Sequence, residues 1–190
     1  MNKTAIGLTL TALLLANPAA GDELGALKNE GKGLIRNFAT ELKGELVSAM
    51  KSGGPVNAIG VCNVKAPQIA DSVSQAPGWT VARSSHKLRN PANAADDFTA
   101  TAIAEFLARQ ATGEKPGSMV KAEIVEENGD RVFRMVKAIP TGEVCLACHG
   151  AGSVKPQVEA ALKEHYPEDK ARGFKLGEMR GVFTLKKVLK

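Results

Sequence analysis

Five residues, Cys145-Leu146-Ala147-Cys148-His149, restrict this chain more than any other stretch. Two thiols separated by two residues, with an imidazole directly after them, can all serve one bound group. Cys-x-x-Cys-His is the attachment signature of a c-type haem. At that spacing both thiols reach the two vinyl groups of one porphyrin as thioethers, and His149 then lies under the ring with its imidazole at the iron. Three other readings use the same cysteines. A thioredoxin-like redox pair belongs at a helix start after a central strand, and no parallel βαβ pattern surrounds this one. Zinc would need two more ligands from Cys62, His86 or His165, which show no ligand-like spacing. A structural disulfide between Cys145 and Cys148 stays open.

The N-terminus favours the haem reading, because covalent attachment takes place after export. Lys3 precedes an apolar run from Ala5 to Ala16, and small residues cluster at Ala19, Ala20 and Gly21 before Asp22-Glu23. This is the layout of a secretory signal peptide, with an apolar run too short for a comfortable membrane span. Cleavage is expected after Ala20 or Gly21, leaving residues 22–190 as one domain in the periplasm or another exported, oxidising compartment. Loss of Lys3 takes the formal charge from +5 to +4. No later segment has the roughly 20 apolar residues that a membrane helix needs. Aromatic residues make up only 4% of the chain, too few for a base-stacking surface, so no nucleic-acid partner is expected.

Along the mature chain, Leu24, Leu27, Leu34/Ile35, Phe38, Leu42, Leu46 and Ala49/Met50 recur at steps of three and four, one face of a long amphipathic helix. Gly53-Gly54 ends it, and Pro55 opens a second helix at its first position. There Ile59, Cys62, Ala66, Ile69 and Val73 form one stripe, which turns Cys62 toward the core. A turn at 76–79 leads to a short strand in "TVARSS". The polar loop "RNPANAADDF" then feeds a helix on Phe98, Ile103, Phe106 and Leu107 that closes near Gly113. Two alternating runs around Asn128-Gly129 predict a hairpin. The Cys-x-x-Cys-His motif is expected in a loop, followed by a short helix from about Lys155 to His165 and a final strand in "MRGVFTLKKV". Helices followed by hairpin strands indicate an α+β domain with an antiparallel sheet.

If Cys145 and Cys148 become thioethers, Cys62 has no partner in the chain. Chemistry alone leaves three roles for it: a buried inert thiol, a bridge to a second chain, or a thiolate on the iron opposite His149. The chain resembles the Tll0287-like haem family in separated blocks: "AIGVCNVKAPQIA", "RSSHKLRNPANAADDF", "VFRMVKAIPTGEVCLACHG" and "YPEDKARGFKLGEMRGVFTL". The resemblance implies a PAS-like antiparallel sheet flanked by helices, with a long N-terminal helical pair. It also implies one covalently bound haem c whose iron is held by the motif histidine, His149, and by an upstream helical cysteine, which matches Cys62. The family more often carries an apolar residue where this chain has His86, so a His149/His86 pair stays open. Met119, Met135 and Met179 are further candidate ligands. Arg89 and Asn90, in the polar loop, are candidate contacts for the haem propionates.

A thiolate ligand pushes electron density onto iron and lowers its potential relative to a His/Met pair. The expected function is a low-potential redox or small-ligand sensor, acting through a separate signalling or redox partner protein, with a homodimer as a further arrangement. The alternative is a periplasmic electron-transfer cytochrome c with His/His or His/Met ligation. No distal acid–base constellation points to an enzyme.

Overall fold

A computed structural model describes residues 18–152 and 154–189. The expected leader, residues 1–21, lies outside the described residues except for its last four, which begin the first helix. That helix, α1 (Pro18–Val73), is two helices joined at a kink. Gly54 sits at the break with φ 71° and ψ −167°, outside the range other residues adopt cheaply, and Pro55 restarts the helix. The long helical pair is therefore set by the Gly-Gly-Pro run.

Strand β1 (Trp79–Ser84) follows, then α2 (Asp97–Ala111) and the hairpin β2 (Val120–Glu127) and β3 (Asp130–Pro140). Two short helices, α3 (Glu143–His149) and α4 (Pro156–His165), precede the last strand, β4 (Met179–Leu189). The sheet is antiparallel throughout in the order β1-β4-β3-β2. Asn128-Gly129 closes the hairpin, with Glu127 paired to Asp130. Asp96 starts α2 by accepting a hydrogen bond from Thr99 N at 2.9 Å.

The sheet buries both faces. On one side Leu27, Ile35, Phe38 and Ile69 of α1 pack on Trp79, Val81, Phe133, Met135, Phe183 and Leu185. On the other, Ala102, Ile103 and Phe106 of α2 meet Val136, Ala138, Met179 and Val182. A third cluster joins the second arm of α1 to α4 through Ile59, Val158, Ala161 and Leu162, with Cys148 and Tyr166 at its margin. This α+β arrangement is the one the sequence pattern and the resemblance predict.

One irregularity bears on function. Ile139 pairs with Gly181 and Pro140 with Met179, so Arg180 is the extra residue of a β-bulge. The bulge lets Met179 and Val182, three residues apart, pack on the same face of the sheet. Gly181 is required here because a Cβ would lie 2.4 Å from the Ser84 carbonyl oxygen. Bulges bend a strand and re-aim a side chain, and the re-aimed residue is Arg180.

Candidate functional site

The Cys-x-x-Cys-His motif lies in the short helix α3, where the sequence pattern predicts a loop. A seven-residue helix is too short to show a period. The helical spacing of three residues sets Cys145 and Cys148 on the same side, and both are half-buried free thiols, as is Cys62. The motif is tied to a downstream loop: Phe174 N donates to the His149 carbonyl at 2.9 Å, and Gly150 bridges to Phe174.

The hydrogen bonds of His149 fix its tautomer. Its Nδ1 is 2.8 Å from the Ala171 carbonyl, which only accepts, so Nδ1 carries the proton. Its Nε2 is 3.3 Å from Arg89 Nη1, which only donates, so Nε2 presents a lone pair. Burial first, then the charges of Arg180 and Arg89, push the imidazole down to about 2, against an opposing contribution from the Ala171 carbonyl. A neutral ring, oriented by a backbone acceptor on Nδ1 with a basic Nε2, is the form in which histidine ligates metals.

Arg89 organises the motif. Besides His149, it donates from Nη2 to the Cys148 carbonyl at 2.7 Å and to the Ala171 carbonyl at 3.4 Å, and from Nε to Asp169 at 3.1 Å. Arg172 reaches the same Cys148 carbonyl at 2.9 Å and pairs with Asp169 at 3.2 Å and Glu159 at 2.9 Å. The guanidiniums thus satisfy a carbonyl at the C-terminal end of α3. The Asp169 side chain is 4% exposed, and it also accepts from Ala171 N at 2.8 Å.

Cys62 belongs to the same neighbourhood. Burial pushes its thiol up, the charges of Arg83 and Arg89 oppose this, and Cys148 adds to it. Cys148 is also pushed up by burial, against Arg89 and Arg172. Tyr166, with Arg89 5.8 Å from its ring centroid, feels the charge of Cys62 as well.

Of the other candidates, the methionines lie away from the motif and His86 and Asn90 lie at its edge. Met119, Met135 and Met179 are at most 1% exposed, inside the two sheet cores. His86 is exposed and packs edge-on against Phe174, 5.6 Å between centroids, while His149 meets that same ring at 6.1 Å. His165 is exposed at the end of α4. Asn90 uses its side chain to cap the turn at Pro91–Asn93, accepting from Ala92 N at 3.0 Å. Among the described residues no group of three or more His, Cys, Asp and Glu converges as a metal site. No helix among them is long and apolar enough to cross a membrane. Sequence reasoning passed over Asp169, Arg172, Phe174 and Arg180; their one signal was the charge density of the block running from Tyr166 to Gly181.

A family model described as Tll0287-like matches residues 16–187. The crystal structure of the cyanobacterial heme-protein Tll0287 is similar to this chain with a TM-score of 0.61 at 24% identity, over 92% of this chain and 98% of that one. At that identity the likeness shows a shared fold. No curated protein matches the chain.

Proposed function

The chain belongs to the Tll0287-like family, and from that premise we propose that it is an exported protein carrying one covalently attached haem c and serving as a low-potential redox or small-ligand sensor. The observation that carries the reading is the neutral His149, with Nδ1 bound to a carbonyl and Nε2 presenting its lone pair, next to two free thiols on one side of α3. Cys145 and Cys148 would form the thioethers, and His149 Nε2, giving up its contact with Arg89, and Cys62 would hold the iron. The bound group would contribute a redox-active iron whose potential its donors set.

The protein's own residues explain why such a site would respond to its surroundings. Burial favours the neutral Cys62 thiol, so Sγ keeps its proton unless a cation opposes it. Arg83 and Arg89 supply part of that opposing charge, so Cys62 would hold an iron as thiolate with their help. The His149 ring is held by Ala171 and its backbone by Phe174. The electron-transfer alternative draws less support, since the candidate methionines lie in the sheet cores and His86 is exposed. Export to the periplasm and action through a separate redox or signalling partner belong to the same proposal.

The test is the low-temperature EPR spectrum of ferric protein made in an exporting host with c-haem maturation. A low-spin signal of narrow anisotropy that is lost in Cys62→Ala is the expected result. A widely spread signal indifferent to Cys62 would move the protein to the electron-transfer reading, and a haem-free product would remove the cofactor altogether.

A further inference from the structure

Three guanidiniums, Arg89, Arg172 and Arg180, act on the motif and a fourth, Arg83, acts on Cys62, and the four fall into two pairs. Arg89 and Arg172 are matched by Asp169 and Glu159 and by backbone carbonyls. Arg83 and Arg180 have no carboxylate within ion-pair distance among the described residues. Arg83 lies 5.1 Å from the centroid of the Phe38 ring. Arg180 has one hydroxyl contact, Nη1 to Ser85 Oγ at 3.3 Å, and sits 5.2 Å from the centroid of Phe174. Both are half-buried, and each loses part of its hydration.

An unpaired, partly desolvated guanidinium is costly, and two that repel each other are costlier. Arg180 feels both Arg83 and Arg89, and after burial these are the charges that press it down to about 10. Arg83 is also lowered by burial, with only Cys62 and Tyr166 acting against it. Chance does not aim Arg180 here, since the bulge at Arg180 and the close approach of Gly181 to Ser84 set its direction. Four guanidiniums, with Lys87 as a further cation 4.9 Å from the centroid of Phe174, stand against the two carboxylates Asp169 and Glu159, so positive charge is in excess here.

We propose that Arg83 and Arg180 form a dianion subsite, taking the two propionate carboxylates of the haem, while Arg89 positions the motif. This rests on the haem reading above. It assigns the propionates away from Arg89 and Asn90, whose side chains already serve the Cys148 carbonyl, Asp169 and Ala92. A guanidinium offers planar paired donors to a carboxylate, which suits the two residues to this role.

The test uses the full chain carrying Cys145→Ala and Cys148→Ala, so that porphyrin binding is reversible and measurable by absorbance titration. The probes are iron protoporphyrin IX and its dimethyl ester, which lacks the two negative charges. This parent should bind the free acid about 10- to 100-fold more tightly than the ester, the scale of one charge-assisted hydrogen bond. Adding Arg83→Gln and Arg180→Gln should abolish that preference with ester affinity unchanged, and Arg83→Lys with Arg180→Lys should restore part of it. Arg180→Gln alone, whose side chain gives up one hydroxyl contact, keeps the test readable if the Arg83 variant misfolds. A preference that survives in the double glutamine variant, or is lost in Arg89→Gln instead, overturns the subsite and leaves the haem reading standing. If the unmodified chain acquires no haem by mass and the parent binds neither porphyrin, the haem reading falls and takes the subsite with it.

Discussion

Arg134 on β3 and Arg180 on β4 lie in the same sheet, yet the chain treats their charges in opposite ways. Arg134 is 4% exposed, and its guanidinium is bound by Glu127 at 2.6 Å and by Asp96, with the face of Phe98 4.7 Å from Cζ. Arg180 is half-buried with one hydroxyl contact and other cations as neighbours. The first arginine has both guanidinium ends matched by carboxylates, from Asp96 before α2 and from Glu127 in the hairpin, with Lys186 of β4 also on Glu127. The second belongs to a region whose charges do not balance. Polypeptides seldom carry an uncompensated desolvated cation without a use for it, so the difference separates the part of the molecule that holds the fold from the part arranged around a ligand.

The largest test of that separation is a reversal of sign. Arg134→Gln takes the guanidinium from Asp96 and from Glu127, which keeps Lys186, and should cost about 3 kcal/mol of stability, the scale of two charge-assisted hydrogen bonds. Arg180→Gln in chain produced without haem should be neutral or slightly stabilising, because it removes repulsion and breaks no ion pair. Urea denaturation of both variants decides it, and a loss at Arg180 equal to that at Arg134 would erase the distinction. Next in size is Asp169→Asn, which leaves Arg89 without a carboxylate and Arg172 with Glu159 alone while keeping the side-chain shape. It should cost about 2–3 kcal/mol and loosen the loop that carries Ala171 and Phe174, seen as faster amide exchange there.

How far the sequence reaches follows the same division. The break at Gly54, the hairpin at Asn128-Gly129 and the final strand are all local signals, and each lies where periodicity and turn chemistry put it. The motif was legible as chemistry but not as a helix, since seven residues show no period. Arg180 was illegible because its direction comes from a bulge, which depends on Gly181 meeting the Ser84 backbone across the sheet. Asp169 looked like one acid in a charged stretch; its role appears only when Arg89, 80 residues away in sequence, folds onto it. Residues whose roles depend on distant partners are the ones a linear reading misses.

The comparison can also be sharpened through pH. The His149 imidazole is held near 2 in the folded chain and returns to its ordinary value near 6.5 when the chain unfolds. Below 6.5 the unfolded state binds a proton that the folded state refuses, so stability falls as pH drops. The slope has a limit of about 1.4 kcal/mol per pH unit and continues toward 2. His149→Gln should flatten that slope in chain produced without haem, whereas Arg134→Gln should leave it in place. A slope unchanged by His149→Gln would mean that the loop opens before the ring titrates.

The smallest effect lies around Arg134 and asks how much of the stability there is charge and how much is capping. Asp96 serves both ends, accepting from Thr99 N to start α2 and pairing with Arg134, although its side chain is 54% exposed. Burial works against its ionised form, and the Thr99 hydrogen bonds and Arg134 outweigh it, so its carboxyl is held below the usual range. That contribution is present above about pH 4 and is lost as pH falls through the lowered value. Asp96→Ala should cost about 1 kcal/mol by removing cap and charge together. Asp96→Asn keeps a good cap and should cost only the charge, a few tenths of a kcal/mol at such exposure. If the two variants are equally destabilised in thermal melts at neutral pH, the Arg134 pair matters more than the cap, and exposure at Asp96 does not weaken it.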